Sequence, residues 1–265
     1  ITATGATGGN LKVTASDDVT LQNTGNDVAK LAANITTAGK SFKYTDANTL
    51  AIDQVAQAGS SAVVLGVPSG TAATQALMNG ITTLGGSGGS VVVNTLSTGT
   101  LDVNQAISTV PTGTGTTVGG SVVLESNGAI TTAAAGTITT TGQASAAGLG
   151  GVGGEVFIHH TNLTTSAGDI TLGGTVTANG GSAAVGGTTG GSGGVVTLLN
   201  ERGGIVVNAA LSANGGAAGS GVQGNGGTVQ LVSTGTAVAS TITQGAAITA
   251  TGATGGNLKV TASDD

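Results

Sequence analysis

The chain has no cysteine and no tryptophan, and its 265 residues include only two phenylalanines, one tyrosine and two prolines. Without cysteine, neither disulfides nor thiolate metal centres are available, and the redox compartment stays open on this criterion. Without large side chains there is no thick core of the kind that a compact globular domain of this length requires. Charge is sparse as well: 7% of residues are charged and the formal net charge is −6. A mildly acidic chain with no cluster of Lys and Arg excludes a nucleic-acid partner, whose phosphates need such a cluster. No apolar run reaches the length of a membrane span, so no membrane insertion is expected of this segment. No basic-then-apolar leader follows Ile1, but the chain starts inside a repeat, so this says nothing about export.

What is abundant is glycine, with 51 residues, together with Val, Ile, Leu, Ala and Thr. Such a composition suits a thin core between closely spaced strands. It also raises the possibility of a flexible linker. The mean hydropathy of +0.32 and a regular apolar alternation argue against that.

The organising feature is an identity. Residues 1–18 read ITATGATGGNLKVTASDD, and residues 248–265 repeat all eighteen. The two starts, 248 and 1, differ by 247, so residues 1–247 form one tandem repeat and 248–265 begin the next. A fixed period of this kind signals stacked units that share a continuous core. Leaving out 248–265, with its two Asp and one Lys, takes the net charge from −6 to −5 for one repeat.

A shorter rhythm runs inside the repeat. A Gly-Gly pair followed by x-apolar-x-apolar occurs at Gly8-Gly9 (Leu11, Val13), Gly88-Gly89 (Val91, Val93), Gly119-Gly120 (Val122, Leu124) and Gly153-Gly154 (Val156, Ile158). It returns at Gly193-Gly194 (Val196, Leu198), Gly226-Gly227 (Val229, Leu231) and Gly255-Gly256 (Leu258, Val260). Strict alternation predicts short strands with one buried face. From Gly89 onward the second glycines lie 31, 34, 40, 33 and 29 residues apart, which is the mark of stacked coils with loops of unequal length.

Two further strands fit into each interval, around Ile130 and Ile138, Ile170 and Val176, and Ile205 and Leu211; Gly-rich loops follow at 142–154, 179–194 and 214–227. Three short strands and one loop per coil predict an all-β fold, a parallel β-helix (β-solenoid). At each corner the glycines are expected to supply sharp bends, often with positive φ. The first third is denser: Val28, Leu31, Ile35, Phe42, Tyr44, Leu50 and Ile52 accompany Lys30, Lys40 and Lys43. Phe42 and Tyr44 share a face and are expected in the core, with Lys43 turned to water. Residues 56–87 read as an excursion from the coil, with a short helical segment from Ala72 to Met78 after Ser69, and Pro68 and Pro111 as strand breakers. The 80 residues from Gly9 to Gly89 leave room for two or three coils. The repeat then holds about 7–8 coils and advances about 35–40 Å at about 4.8 Å per rung.

Strands written G-x-I or G-x-V, strand ends such as TVTANGG (175–181) and ALSANGG (210–216), and the segment VAKLAANITTAGKSFKYTDANTLAI (28–52) resemble filamentous-haemagglutinin-type adhesins, the giant repetitive bacterial surface proteins of two-partner-secretion or autotransporter-like type. The resemblance implies a right-handed coil, secretion across an outer membrane, and an extracellular or cell-surface location as a stalk or fibre.

Catalysis on a β-helix needs clustered carboxylates. Those of one repeat are Asp17, Asp18, Asp27, Asp46, Asp53, Asp102, Asp169, Glu125, Glu155 and Glu201, most of them in different coils, and the only arginine is Arg202. Glu125 follows its second core residue and Glu155 precedes its first, so a pair on one face is offset along the strand. His159 and His160 are adjacent on a strand and point to opposite faces, a poor geometry for shared metal ligation, with one expected exposed and one near a corner. Loops 179–194 and 214–227 have no carboxylate for calcium, and no glycine run carries the Lys-Ser or Lys-Thr of a phosphate loop. No catalytic residue, cofactor or metal is therefore assigned. Thr137-Ile138-Thr139, Thr175-Val176-Thr177 and Thr241-Ile242-Thr243 suggest an ice-binding array, broken at Asn208-Ala209-Ala210-Leu211.

The expected function is structural and non-enzymatic: a repeat unit of a long extracellular fibre or cell-surface filament, continuing end to end into neighbouring repeats. The alternative is an adhesin stalk with a receptor-binding tip elsewhere; an ice-binding or polysaccharide-acting β-helix ranks below both. Thr, Ser, Asn, Lys12, Gln230 and Phe157 are expected on the surface, with Phe157 covered by a loop or by lateral contact with another fibre.

Overall fold

Alternating Val, Ile and Leu separated by Gly and Thr build three stacks of short strands around one axis. A computed structural model describes residues 9–56, 77–86, 89–96, 98–113, 116–146, 148–161, 168–184, 188–235 and 240–263. Among them there is no helix; of 24 strands, the 22 in a 14-stranded and an 8-stranded sheet form a parallel β-helix and two form a separate antiparallel pair.

The long face stacks β2 (Val19–Leu21), β4 (Phe42–Asp46), β9 (Ser90–Thr95), β12 (Ser121–Ser126), β15 (Glu155–His160), β18 (Val195–Asn200), β21 (Thr228–Ser233) and β24 (Asn257–Ala262), in that order. The middle face stacks β5 (Leu50–Ile52), β10 (Leu101–Val103), β13 (Ile130–Thr132), β16 (Ile170–Leu172), β19 (Ile205–Val207) and β22 (Ile242–Gln244). The short face carries β8 (Ile81–Thr82), β11 (Ile107–Ser108), β14 (Ile138–Thr139), β17 (Val176–Thr177), β20 (Leu211–Ser212) and β23 (Ile248–Thr249). Below them β3 (Lys30–Ile35) spans two faces, pairing with β5 through Lys30 and Leu31 and with β8 through Ala33 and Asn34. β1 (Asn10–Ala15) lies under β3.

Each rung sends its alternate residues inward. Val122, Leu124, Ile130 and Ile138 are fully buried, and their equivalents above and below stack on them in register. Each such side chain contributes roughly 1.5–3 kcal/mol on burial. Phe42 and Tyr44 are fully buried, as their shared face requires, and they are the largest fully buried side chains among the described residues.

The excursion is shorter than expected. β6 (Gln54–Val55) and β7 (Met78–Asn79) pair antiparallel, and Ile81 and Thr82 have already rejoined the short face. Met78 is therefore in a strand and Leu77 is in no helix, so the segment does not end as a helix; residues 72–76, like Pro68, lie outside the described residues. Pro111 stands between β11 and β12, where no ladder hydrogen bond is asked of it.

The glycines act differently from the corner role expected of them. Among the described residues only Gly39, Gly80, Gly85, Gly86 and Gly113 have positive φ, and none is in the loops 142–154, 179–194 or 214–227. Those loops are laid on one another as a slab. Outgoing legs bond to outgoing legs (Gly142 N–H to Asn179 O, 2.9 Å; Gly180 N–H to Asn214 O, 2.8 Å), and returning legs to returning legs (Gly153 N–H to Ser192 O, 2.9 Å; Gly193 N–H to Asn225 O, 2.8 Å). Cross-bonds knit the two sets, from Gly181 N–H to Gly151 O at 2.7 Å and from Gly191 N–H to Gly181 O at 2.9 Å. The returning legs Gly150-Gly151-Val152-Gly153-Gly154 and Gly190-Gly191-Ser192-Gly193-Gly194 repeat two glycines and one larger residue with a period of three. Two residues of every three face neighbouring backbones, so a Cβ at Gly150, Gly191 or Gly224 would overlap a carbonyl oxygen of the next leg.

Candidate functional site

Among the described residues, one place on the outward surface gathers ionisable side chains from three successive rungs. His159 projects from β15, with Glu125 of β12 beside it in register below and Leu199 of β18 above. Glu201, just past the end of β18, reaches back so that its Oε1 lies 2.9 Å from His159 Nε2. Glu125 Oε1 is 3.5 Å from Nδ1. The two carboxylates thus address opposite edges of one imidazole. His159 Nε2 is within hydrogen-bond distance of Glu201, whereas Nδ1, 3.5 Å from Glu125, makes no hydrogen bond, so the ring joins two rungs directly and lies against a third. Opposite edges also mean that the three groups do not converge on one point, and no group of three or more His, Asp or Glu that could hold a metal ion occurs among the described residues.

Phe157 points outward as expected, and its ring packs on His159 with centroids 5.3 Å apart. That contact within its own strand covers part of the ring without a second fibre. His159 is only 15% exposed, so it is not the exposed histidine that alternation suggests. Glu125 and Glu155 remain apart: Glu125 is in register with His159, whereas Glu155 opens the same strand four residues earlier, roughly 13 Å away along it. The Thr-x-Thr segments also fail to line up. Ile138 and Val176 stack on the short face, but Ile242 belongs to the middle face. On the short face a single hydroxyl column continues through Thr82, Ser108, Thr139, Thr177, Ser212 and Thr249.

An inward polar column escapes simple apolar patterning. Asp46, Thr95, Ser126, His160, Asn200 and Ser233 occupy successive rungs at the end of the long face, all fully buried. They close the corner by bonding backbone that turns there. Asn200 Nδ2 donates to Gly168 O (2.9 Å) and Gly204 O (2.8 Å), its Oδ1 accepts from Arg202 N–H (2.9 Å), and Ser233 Oγ donates to Gly203 O (2.6 Å). Thr95 Oγ1 donates to Ser126 Oγ at 2.7 Å. The signal was present in the sequence: the residue two places after the second core apolar is polar in nearly every rung.

His160 Nδ1 lies 2.9 Å from Asn200 Oδ1. Burial holds its pKa below the ordinary 6.5, outweighing the hydrogen bond to Asn200. The unfolded chain therefore binds the proton more readily than the folded one. The stability contributed by neutral His160 is present above 6.5 and is lost as pH falls through the lower folded value. Urea midpoints at about pH 7.5 and about pH 5.5 are expected to differ more for the wild type than for His160→Gln. Equal differences in the two proteins would contradict this assignment.

No protein-family model, curated protein or solved structure matches the chain.

Proposed function

We propose that the chain is a structural segment of a long extracellular fibre or cell-surface filament, in which β-solenoid repeats continue end to end. The observation that carries this is the eighteen-residue identity of 1–18 with 248–265, combined with a parallel stack in which the repeated segment Asn257–Ala262 forms one further rung, β24, in register on β21. An unpaired parallel edge is a template for another strand, and a following repeat supplies one from the same chain. The column of stacked backbone bonds, each worth about 0.5–1.5 kcal/mol net, then extends with every repeat. The charge distribution fits this role: ion pairs such as Lys30 with Asp53 (2.7 Å) join neighbouring segments of the first coils.

A stalk that carries a receptor-binding tip elsewhere is the second reading. It is favoured by the G-x-I and G-x-V strand style shared with filamentous-haemagglutinin-type adhesins, which also motivates placement outside the cell. Chains of two, four and six tandem repeats, viewed by negative-stain electron microscopy, test the fibre. Rod length is expected to rise linearly, by about 34–38 Å per repeat for seven to eight rungs about 4.8 Å apart. Beads on slack tethers, or lengths that do not scale, would count against it. Cell adhesion by a full-length protein that is lost when the non-repeat part is deleted would favour the stalk.

A further inference from the structure

The identical segments 10–15 and 257–262 sit in different sheets. β1 lies beneath β3, below the middle and short faces, whereas β24 lies on the long face above β21, in register from Asn257 opposite Thr228 to Ala262 opposite Ser233. The residues that follow β1 form β2 on the long face, under β4. Both placements cannot hold in a chain that continues. Beyond β24, only Ser263, Asp264 and Asp265 precede the Val-Thr-Leu that corresponds to β2. Three residues span at most about 11 Å. Elsewhere the chain leaves the long face at Ser126 and returns to it only at Glu155. So the next Val-Thr-Leu has to take the middle face, on β22.

We infer that the open edge of β22, β23 and β24 is the seat of residues 19–46 of a following copy of this repeat, with β2 on β22, β3 on β23 and β4 on β24, so that segment 10–15 changes sheet between a free end and a continued fibre. This rests on the fibre proposed above.

Spacing supports the assignment. The interval from Val13 to Val19 equals those from Tyr44 to Leu50 and from Leu124 to Ile130, which are steps from the long to the middle face. With segment 10–15 on the long face, Leu11, Val13 and Ala15 lie under Phe42, Tyr44 and Asp46. β2 then takes the place under β5 that Lys30 and Leu31 hold in the one-repeat chain, and β3 keeps its pairing with β8 through Ala33 and Asn34. Long-face strands then start at residues 10, 42, 90, 121, 155, 195 and 228 before the next begins at 257, giving seven rungs per repeat. Leu258 and Val260, 55% and 54% exposed at the open edge, become covered.

The change gives up local bonds that belong to the free end. They include the six-residue ladder of β1 with β3, the β3–β5 bonds Ala51 N–H to Ala29 O (3.0 Å) and Asp53 N–H to Leu31 O (3.1 Å), Val19 N–H to Ser41 O (2.9 Å), Ser41 N–H to Asp18 Oδ1 (2.7 Å), Asn26 Nδ2 to Leu21 O (2.8 Å), and the exposed pairs of Lys40 with Asp17 and Asp18. In return β4, paired below through only three residues of β2, acquires a full-length neighbour.

Two cysteine pairs share one position and read the two arrangements. Thr20→Cys with Lys43→Cys reports the free end, where these residues are in register. Lys12→Cys with Lys43→Cys reports the continued fibre. Each pair is placed in the one-repeat chain and, separately, in the second copy of a two-repeat chain, and disulfide closure is read by gel mobility after mild oxidation. In the one-repeat chain the first pair is expected to close and the second to stay open. In the second copy of the two-repeat chain the outcome is expected to reverse. Closure of the Thr20→Cys pair there, in a molecule that electron microscopy shows as one unbroken rod, would overturn the inference while leaving the fibre intact. Two short rods joined by a tether would overturn the fibre and the inference with it.

Discussion

Replacing Gly191 by valine is expected to lower stability by about 3 kcal/mol or more, near the top of the range for overpacking a close-packed interior. A Cβ at this position overlaps the carbonyl of Gly151 in the leg beneath. Gly224 sits above in the same way, with its own Cβ path blocked by Gly191 O. The slab has no soft side chain to move aside, because the obstructing atoms are backbone oxygens that are already hydrogen-bonded. Gly181 N–H donates to Gly151 O at 2.7 Å, and Gly216 N–H to Gly191 O at 2.7 Å. Moving one leg therefore breaks bonds in two rungs. Gly255 is the control, since nothing lies within 4 Å of its Cβ position. Chemical denaturation of Gly191→Val and Gly255→Val, with the midpoint and slope of each, checks this. A valine at 191 that costs no more than one at 255 would mean that the loops are not stacked.

The second large effect is expected at Asp46. This carboxylate is fully buried at the foot of the inward polar column. Its Oδ2 accepts from Tyr44 Oη at 2.8 Å and from Val28 N–H at 3.0 Å, and its Oδ1 accepts from Asn48 N–H at 2.9 Å. Asp46→Ala leaves Tyr44 Oη and Val28 N–H without their acceptor in a buried site, and the part-buried Asn48 N–H loses its acceptor as well. Each such orphan costs about 1–3 kcal/mol, so a loss of about 3 kcal/mol or more is expected. Asp46→Asn keeps one acceptor oxygen and should lose less. Tyr44→Phe removes one of the donors rather than the acceptor and should lose least. Burial first, and Asp46 next, hold the Tyr44 phenol far above its ordinary ionisation range, so it remains a donor where an ordinary tyrosine ionises. Urea denaturation of the three variants gives the order. An alanine variant as stable as the asparagine one would show that the carboxylate does not anchor this corner.

These two sites also mark what the sequence discloses and what it does not. The apolar alternation makes the rungs legible: Val122, Leu124, Ile130 and Ile138 all face inward, and their counterparts do the same from rung to rung. Phe42 and Tyr44 are legible for the same reason. The inward polar column is harder to see, because Ser126, Asn200 and Ser233 read as ordinary surface residues until the chain is seen to turn a corner over them. The glycines are visible as a pattern, but their reason is not. Positive φ and close backbone approach both select glycine, and only the stacking of legs shows that the second operates in the loops.

Glu201 is the clearest case of a neighbour hidden by distance along the chain. It stands 42 residues from His159, and loop lengths between rungs vary, so nothing local brings the two together. Register settles it: β15 and β18 pair His159 with Leu199 and His160 with Asn200, which puts Glu201 at the turn beside the ring. The segment NLKVTA is the opposite case. Its sequence is the same at both ends, yet β1 and β24 join different sheets. A strand of six residues has no preference of its own between faces of a β-helix; the neighbour that offers a ladder decides.

The central claim is that parallel rungs climb one axis and pass from each repeat to the next. A cryo-electron-microscopy map of a chain of several tandem repeats tests it most directly. The account predicts one unbroken rod with rungs about 4.8 Å apart, whose pattern of long and short loops recurs every seven rungs. Compact modules separated by gaps, or rungs that stop and restart at each repeat boundary, would contradict it.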